Sequence, residues 1–387
     1  MTFDPAGLRN ACGLTQAQVA EAIGVSRTLL GFYETGERQL PADVAARLRS
    51  LFGVRDSAND LPTAAPSLLL RSNKDELNAL GRAELHILDG VLELYVDLLD
   101  HFGYPACALT ESPFAGVASR VDKSEAERAA RRVRTHMSGK FDSFADPLEA
   151  INGSVMVFQL RMGADIETAP SGFFFKHPRA GLAIAVNADL TLGRQHFSAA
   201  HELAHALFHS HSHSGIVSLP RPSHRVDGRE RFANQFAVEF LMPADDVVAA
   251  VERFPRWASS APVEQRVLLV QREFSVSFAS AAYRLRNLGF LDAAELAFVL
   301  KVSPRSVAHA LGWSPSQLDS TVTLPDRLAG FPSCLQWLLS EGINSGVVSA
   351  GDVAETAAVS TESVRRMMQP AETDVVENLS YEHYAIA

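Results

Sequence analysis

Apolar residues in positions 5–52 recur at the spacing of short amphipathic helices, with Leu8, Val19, Ala20, Ile23, Leu29, Leu30, Tyr33, Val44 and Leu48 on the inward stripe. Thr15 and Ser26 stand where helix N-caps are needed, and Gly24 and Gly36 where two successive helices would end. Residues 54–66 (VRDSANDLPTAAP) are polar and contain proline, and read as a linker. A longer amphipathic stripe runs from Leu77 to Phe102, interrupted by Glu84. Residues 124–137 predict another helix, with Ser124 and Glu127 as a capping box and its arginines on a solvated face. The period then changes: Val155–Leu160, Gly172–Lys176 and Leu182–Val186 are short, β-rich and bounded by glycine, and predict three strands. Helical spacing returns from Arg194 to His209 and, after a His/Ser/Pro/Arg loop at 210–227, from Gly228 to Leu241, where Pro243 ends it.

Residues 244–387 read as helices with short loops. Three segments recur weakly, FSVSFASAAYRL (274–285), LKVSPRSVAHAL (300–311) and AAVSTESVRRMM (357–368), each with Val-Ser at a helix start. Serine-capped helices account for them, with helix-turn-helix-like units as the alternative. The fold class expected is mainly α with a small β-sheet (α+β). It comprises a five-helix domain at 1–53, a linker at 54–74, a core of helices and the three strands at 75–250, a helical region at 251–370 and an acidic tail at 371–387. The tail carries Glu372, Asp374, Glu377 and Glu382 without Lys or Arg, and order is not expected there.

At 47% hydrophobic and 21% charged, the 387-residue chain is not a mainly disordered one and is long enough for two or three domains. Met1–Asn10 lacks a basic flank followed by an apolar stretch, and no apolar run is long enough to span a bilayer, so neither a signal peptide nor a membrane role is expected. The three scattered cysteines, Cys12, Cys107 and Cys334, are odd in number and form no C-x-x-C pair, so neither a disulfide framework nor a thiolate zinc site is expected, and a reducing cytoplasm is the expected location. A net charge of −10 argues against a protein that coats nucleic acid non-specifically, while leaving room for one small DNA-reading module.

Histidine is unevenly distributed: seven of 13 fall between His196 and His224. His201-Glu202-Leu203-Ala204-His205 is H-E-x-x-H, which on a helix turns both imidazoles to one side and lets them chelate one zinc ion, with Glu202 as general base. Catalytic zinc needs a third protein ligand and an open position. The candidates are His211, Asp227, Glu230 and Glu239. His211 would complete a metzincin triad, but Phe208 stands where that motif needs glycine and no Met-turn follows. Glu230 and Glu239 are nine residues apart on one predicted helix, roughly 180° around, so only one can face the metal. Glu230 opens that helix, as the third ligand does in glutamate zincins, and Phe236 and Phe240 mark the core face. An oxyanion-stabilising group is sought among His177, His196, His224 and Tyr283; His209 is read as a helix-end residue favoured by the macrodipole, and Leu182–Val186 as the strand that would hold an extended substrate.

HFSAAHELAHALFH (196–209) followed by ERFANQFAVEFLMP (230–243) resembles the ImmA/IrrE family of zinc metallopeptidases, over roughly residues 75–290. The resemblance implies His201, His205 and Glu230 as Zn2+ ligands, Glu202 as general base, and a protease that cleaves a repressor in a stress or phage response. LTQAQVAEAIGVSRTLLGFYETGERQLPADVAARL (14–48) resembles the Cro/cI-type (XRE) helix-turn-helix. It implies Thr15–Ile23 as scaffold helix and Ser26–Thr35 as recognition helix in the major groove, with Gln16 on phosphate and Arg27 and Thr28 on base edges. Phe32 is placed to meet a thymine methyl or a protein, and Arg38 completes the expected contacts. Gly31 and Phe32 depart from the usual pattern. Residues 1–53 balance five basic groups against five acids, so a monomer would bind DNA weakly, and a homodimer is the corresponding expectation.

The combined expectation is a DNA-binding regulator with a zinc endopeptidase domain acting on a protein substrate, itself a helix-turn-helix repressor, with cleavage of its own 54–74 linker as a variant. The alternatives are a transcription factor whose zinc site is structural or sensory, and a component of a toxin–antitoxin or phage-defence system.

Overall fold

Thr15 starts the first helix as expected, its hydroxyl accepting from the Gln18 N–H while the Gln18 side chain returns to the Thr15 N–H. The computed structural model describes residues 5–6, 9, 14–35, 37–38, 40–41, 44–45, 47–48, 51, 79–114, 123–137, 146–163, 169–209, 228–253 and 262–369. Those residues are mainly helical with one three-stranded sheet. Helix α1 (Gln16–Ala22) and α2 (Arg27–Thr35) close on a core of Leu14, Val19, Ala20, Ile23, Leu30 and Tyr33, with helical residues at 44–45, 47–48 and 51 adding Val44, Leu48 and Leu51. Ser26 caps α2 through the Leu29 N–H. The linker expected at 54–74, Gly36, and the rest of the five-helix domain lie outside the described residues, as do the 210–227 loop and the tail.

The chain divides into two compact units, Met1–Ala106 with Arg161–Pro170 and Pro325–Ala385, and Cys107–Leu160 with Ser171–Leu324 and Ile386–Ala387. The first contains α1, α2 and α3 (Ala79–Phe102). Glu84, which breaks the apolar stripe of α3, is matched there by Arg327, whose Nε and Nη2 donate to the two carboxylate oxygens at 2.8 Å each. Helices α13 (Ser333–Asn344), α14 (Ala350–Thr356) and α15 (Thr361–Met368) belong to the same unit.

The second unit holds α4 (Lys123–Met137), α5 (Pro147–Asn152), β1 (Met156–Leu160), β2 (Gly172–His177), β3 (Gly181–Asn187), α6 (Leu192–Ala204) and a π-turn at His205–His209. Next come α7 (Gly228–Leu241), α8 (Ala244–Arg253), α9 (Val263–Glu273), α10 (Phe278–Asn287), α11 (Ala293–Val299) and α12 (Pro304–Ala310). The sheet order is β1-β3-β2, with β3 parallel to β1 and antiparallel to β2. Every residue of β3 is buried. The strand expected to hold substrate is therefore the central one, and β2 is the sheet edge nearest the H-E-x-x-H helix.

Two expectations for α4 are corrected. The helix begins at Lys123, so Ser124 lies inside it and not at its N-cap. Its arginines do not all face water: Arg131 donates to Glu239 at 3.2 Å and Arg134 to the Phe240 carbonyl at 2.6 Å, tying α4 to the end of α7. Ala126, Ala129 and Ala130 of the same helix are small and fully buried, in one core cluster with Phe232, Phe236 and Phe240 of α7, which permits that close approach. Ser277, Ser303 and Ser360 are the N-caps of α10, α12 and α15, as the Val-Ser recurrence predicts. The expectation of no disulfide is corrected: Cys107 and Cys334 are each disulfide-bonded. Among the described residues no helix is long and apolar enough to cross a membrane.

Candidate metal centre

The H-E-x-x-H segment is helical, but its second histidine starts a widened turn. His205–His209 is a single π-turn, a feature frequent at functional sites. The Leu207 carbonyl within it is met by the Ser112 hydroxyl at 2.6 Å, which satisfies that acceptor. His201 and His205 still share one face, with Nε2 atoms 3.2 Å apart.

Helix α7 brings the third group. Glu230 lies in its first turn, with Oε2 3.3 Å from His201 Nε2 and Oε1 3.3 Å from His205 Nε2. Three donors around one zinc ion at about 2.0–2.1 Å would stand about 3.3 Å apart in a tetrahedral arrangement. The observed spacings of 3.2 and 3.3 Å are close to that value, with a different carboxylate oxygen facing each imidazole, and two imidazoles with one carboxylate are a donor set suited to zinc. The residues present fit a divalent ion of that kind.

Glu239 points the other way. It is 1% exposed and accepts from Arg284 Nη2 at 2.5 Å and from Arg131. The helical arithmetic that separated the two glutamates holds, and Phe232, Phe236 and Phe240 line the packed face between them. His211 and Asp227 lie outside the described residues.

Each candidate histidine ligand is oriented by a neighbour. The Nδ1–H of His201 donates to Asn234 Oδ1 at 3.1 Å, one helical turn beyond Glu230. His205 Nδ1 meets His209 Nδ1 at 2.9 Å, and Phe174 of β2 stacks on the His205 ring with an interplanar angle of 3°. Two ring nitrogens at that distance share one proton. If His205 presents a lone pair at Nε2, its Nδ1 carries the hydrogen and His209 Nδ1 accepts it. His209 is therefore more than a helix-end residue. Its signal was in the sequence as H-x-x-x-H at helical spacing, and that of Asn234 as the asparagine of the E-x-x-A-N string.

Glu202 is buried at 1% exposure and accepts from the Phe174 N–H, while its Oε2 has no partner. Burial pushes its carboxyl up, against the pull of His201 and His205. Gly172 makes room for it: a Cβ there would stand 2.9 Å from the Ala185 carbonyl oxygen and 3.4 Å from Glu202 Cγ. Burial would also raise the Glu230 carboxyl, but hydrogen bonds from His201 and His205 overcome it and hold the group well below the usual carboxylate range. His201 shows the complement: burial lowers it, and Glu230 with Glu202 more than reverses that, so it keeps its proton above the usual histidine range in the metal-free protein.

Of the residues considered for oxyanion stabilisation, His196 donates Nδ1–H to the Ser275 carbonyl, and His177 Nδ1 accepts from the Arg179 and Ala180 N–H groups. Tyr283 is 52% exposed, and His224 lies outside the described residues.

Residues 160–286 match the model of the Peptidase M78 family, the IrrE N-terminal-like domain. The chain carries an IrrE-like domain. The match contains β2, β3 and α6–α9 whole, and with them the histidine pair, Glu202 and Glu230. Residues 7–57 match the helix-turn-helix model, so the IrrE-like metallopeptidase domain is joined in one chain to a DNA-binding helix-turn-helix. No curated protein matches the chain. In the helix-turn-helix, Arg27, Thr28, Phe32 and Arg38 are exposed, Phe32 at 41%. Gln16 donates Nε2–H to Glu34 at 2.8 Å, and Glu34 is also held by Arg9 through two bonds at 2.6 and 3.0 Å, so the Gln16 amide is engaged within the domain.

Proposed function

We propose that this chain is a cytoplasmic transcriptional regulator whose IrrE-like domain is a zinc endopeptidase of the glutamate-zincin type, with His201, His205 and Glu230 as ligands and Glu202 as general base. The observation that carries the reading is the triangle of two imidazole nitrogens and one carboxylate, with a buried carboxylate of raised pKa beside it. A bound zinc ion would supply Lewis acidity to this site. Glu202 takes the proton of the attacking water and returns it to the leaving amine nitrogen; a carboxyl that burial raises above the ordinary carboxylate value suits both transfers. Asn234 and His209 hold the imidazole planes, and Phe174 walls one side of the cleft.

The substrate is a protein, and the family resemblance points to a helix-turn-helix repressor cleaved under stress or phage attack. Arg27, Thr28, Phe32 and Arg38 form the DNA-facing set on and beside α2, with Gln16 bracing that helix through Glu34, and a homodimer supplies the second half-site. Mass-spectrometric mapping of new protein N-termini in cells carrying wild type or Glu202→Gln tests the reading. Termini that appear only with Glu202 support it and name the scissile bond. Identical termini, with zinc bound in both proteins, would replace it with a metal-bearing transcription factor that does not hydrolyse peptides.

A further inference from the structure

The string V-A-E-x-x-x-V-S occurs at 19–26, across the turn of the helix-turn-helix, and again at 353–360, across the turn between α14 and α15. The two turns are built alike. Val25 N–H reaches the Ala20 carbonyl at 2.9 Å and Val359 N–H the Ala354 carbonyl at 2.9 Å; Gly24 N–H reaches Glu21 and Ala358 N–H reaches Glu355, both at 3.2 Å. Gly24 has φ +67° and Ala358 φ +51°. That region is uncommon for a residue with a Cβ, and Ala358 is held in it by a surrounding structure that demands this turn. Arg327 contributes to the demand by donating to the Ala357 and Ala358 carbonyls. Ser26 caps α2 through the Leu29 N–H at 3.2 Å, and Ser360 caps α15 through the Ser363 N–H at 3.1 Å. The inward positions also correspond, with Val19 and Leu30 at 0% exposure and Val353 and Val364 at 1% and 0%.

A shared turn is not by itself a site. The α9–α10 turn also has a positive φ, at Ser275, and a Val276 N–H to Gln271 bond, but α10 is built into the core of its unit through Phe278, Ala281 and Arg284. The α11–α12 turn closes differently, from Val302 N–H to Val299, without a left-handed residue. Among these helices α15 repeats the exposure of α2 at all three outward positions. The positions of Arg27, Thr28 and Phe32 correspond to Thr361, Glu362 and Arg366, all exposed, and Arg365 takes the place of Gly31.

We infer that α14–α15 is a second helix-turn-helix and that α15 reads duplex DNA with Arg365 and Arg366. The inference rests on the DNA-binding reading of the first. Two adjacent guanidiniums on the outward face carry the forked geometry that recognises guanine O6 and N7 or phosphate. Arg365 pairs with Glu362, both side chains 67% exposed, and such a pair is weak and exchanges readily for a nucleic acid. Arg366 is itself 51% exposed and pairs with Asp326, whose side chain is 13% exposed, so its guanidinium stays at the surface while held from one side. A chain of net charge −10 with a charge-balanced first reader gains affinity by placing two modest contacts on one duplex.

The test is selection from a random-sequence duplex library with the full-length chain. Wild type is expected to enrich duplexes with two sequence elements. Arg365→Ala/Arg366→Ala keeps the element read by α2, loses the other, and binds the two-element duplex about tenfold or more weakly, while Arg27→Ala shows the converse. Arg365→Lys/Arg366→Lys keeps the charge without the fork, and is expected to retain affinity but lose the second element's base preference. Thermal melting by circular dichroism checks that the variants fold. Unchanged selection and affinity in the alanine pair overturns the inference and assigns this face to a protein partner; loss of all binding in Arg27→Ala overturns it too. If Arg27→Ala changes nothing while the alanine pair removes binding, the reading of the first helix-turn-helix fails and this one stands.

Discussion

Helix α7 carries two glutamates with opposite assignments, and exchanging each for glutamine separates them. Glu239 is 1% exposed, and Arg284, its partner at 2.5 Å, is 4% exposed. Glu239→Gln preserves shape but leaves the buried guanidinium without its counter-charge, and breaking a buried pair in this way costs about 3–5 kcal/mol. The second partner, Arg131, is 54% exposed at its side chain and adds little, under about 1 kcal/mol. With about 3–5 kcal/mol lost and about 2–4 °C of melting temperature per kcal/mol in a domain of this size, the drop is roughly 6–20 °C. The assay is a thermal melt at pH 8 under chelation, so that metal does not contribute, followed by a second melt with excess zinc. Glu230→Gln is expected to melt within a few degrees of wild type under chelation and to lose the zinc-dependent rise. Glu239→Gln melts low in both conditions but keeps that rise. Replacing Glu239 and Arg284 together by leucine recovers much of the loss, because no unpaired charge then remains buried. A Glu239→Gln melt within about 2 °C of wild type would refute the cost assigned to the buried pair. A wild-type-sized response of Glu230→Gln to zinc would refute the ligand assignment.

Other outcomes are expected from the same geometry. Glu202→Gln binds zinc as wild type does and loses hydrolysis; a variant that still cleaves would remove Glu202 from the proton path. Asn234→Leu and His209→Phe each weaken zinc binding about 10–100-fold by freeing an imidazole ring, with His209→Asn intermediate, as measured by competition with a chromophoric chelator. Zinc uptake near pH 6.5 releases protons, because His201 beside Glu230 and Glu202 is raised above the ordinary histidine value in the metal-free protein and must be neutral to bind. Affinity therefore rises with pH, and calorimetry that gives the same heat in buffers of different ionisation enthalpy would contradict this. Gly172→Ala brings a Cβ within 2.9 Å of the Ala185 carbonyl and disturbs Glu202; it is expected to lower activity more than zinc affinity, and an unchanged rate would show that β2 yields there without cost.

Periodicity and caps carried most of the secondary structure, because a helix or strand with one buried face must declare that face in its sequence. The three strands, the capped helices and the separation of Glu230 from Glu239 were all legible by counting residues per turn. So was the H-E-x-x-H pair, since two imidazoles on one face need only helical spacing. Tertiary structure decided what meets what. That Glu230 oxygens come within 3.3 Å of both imidazoles, that β3 is central and β2 the edge, and that Arg131 and Arg134 clamp α7 all depend on elements distant in the chain. His209 shows the boundary most clearly: its spacing from His205 was visible, but whether its ring faces water or the ligand depends on the π-turn and on the Ser112 hydroxyl that satisfies it. A local pattern specifies which side of an element is apolar; long-range packing alone determines which polar atoms are brought within bonding distance.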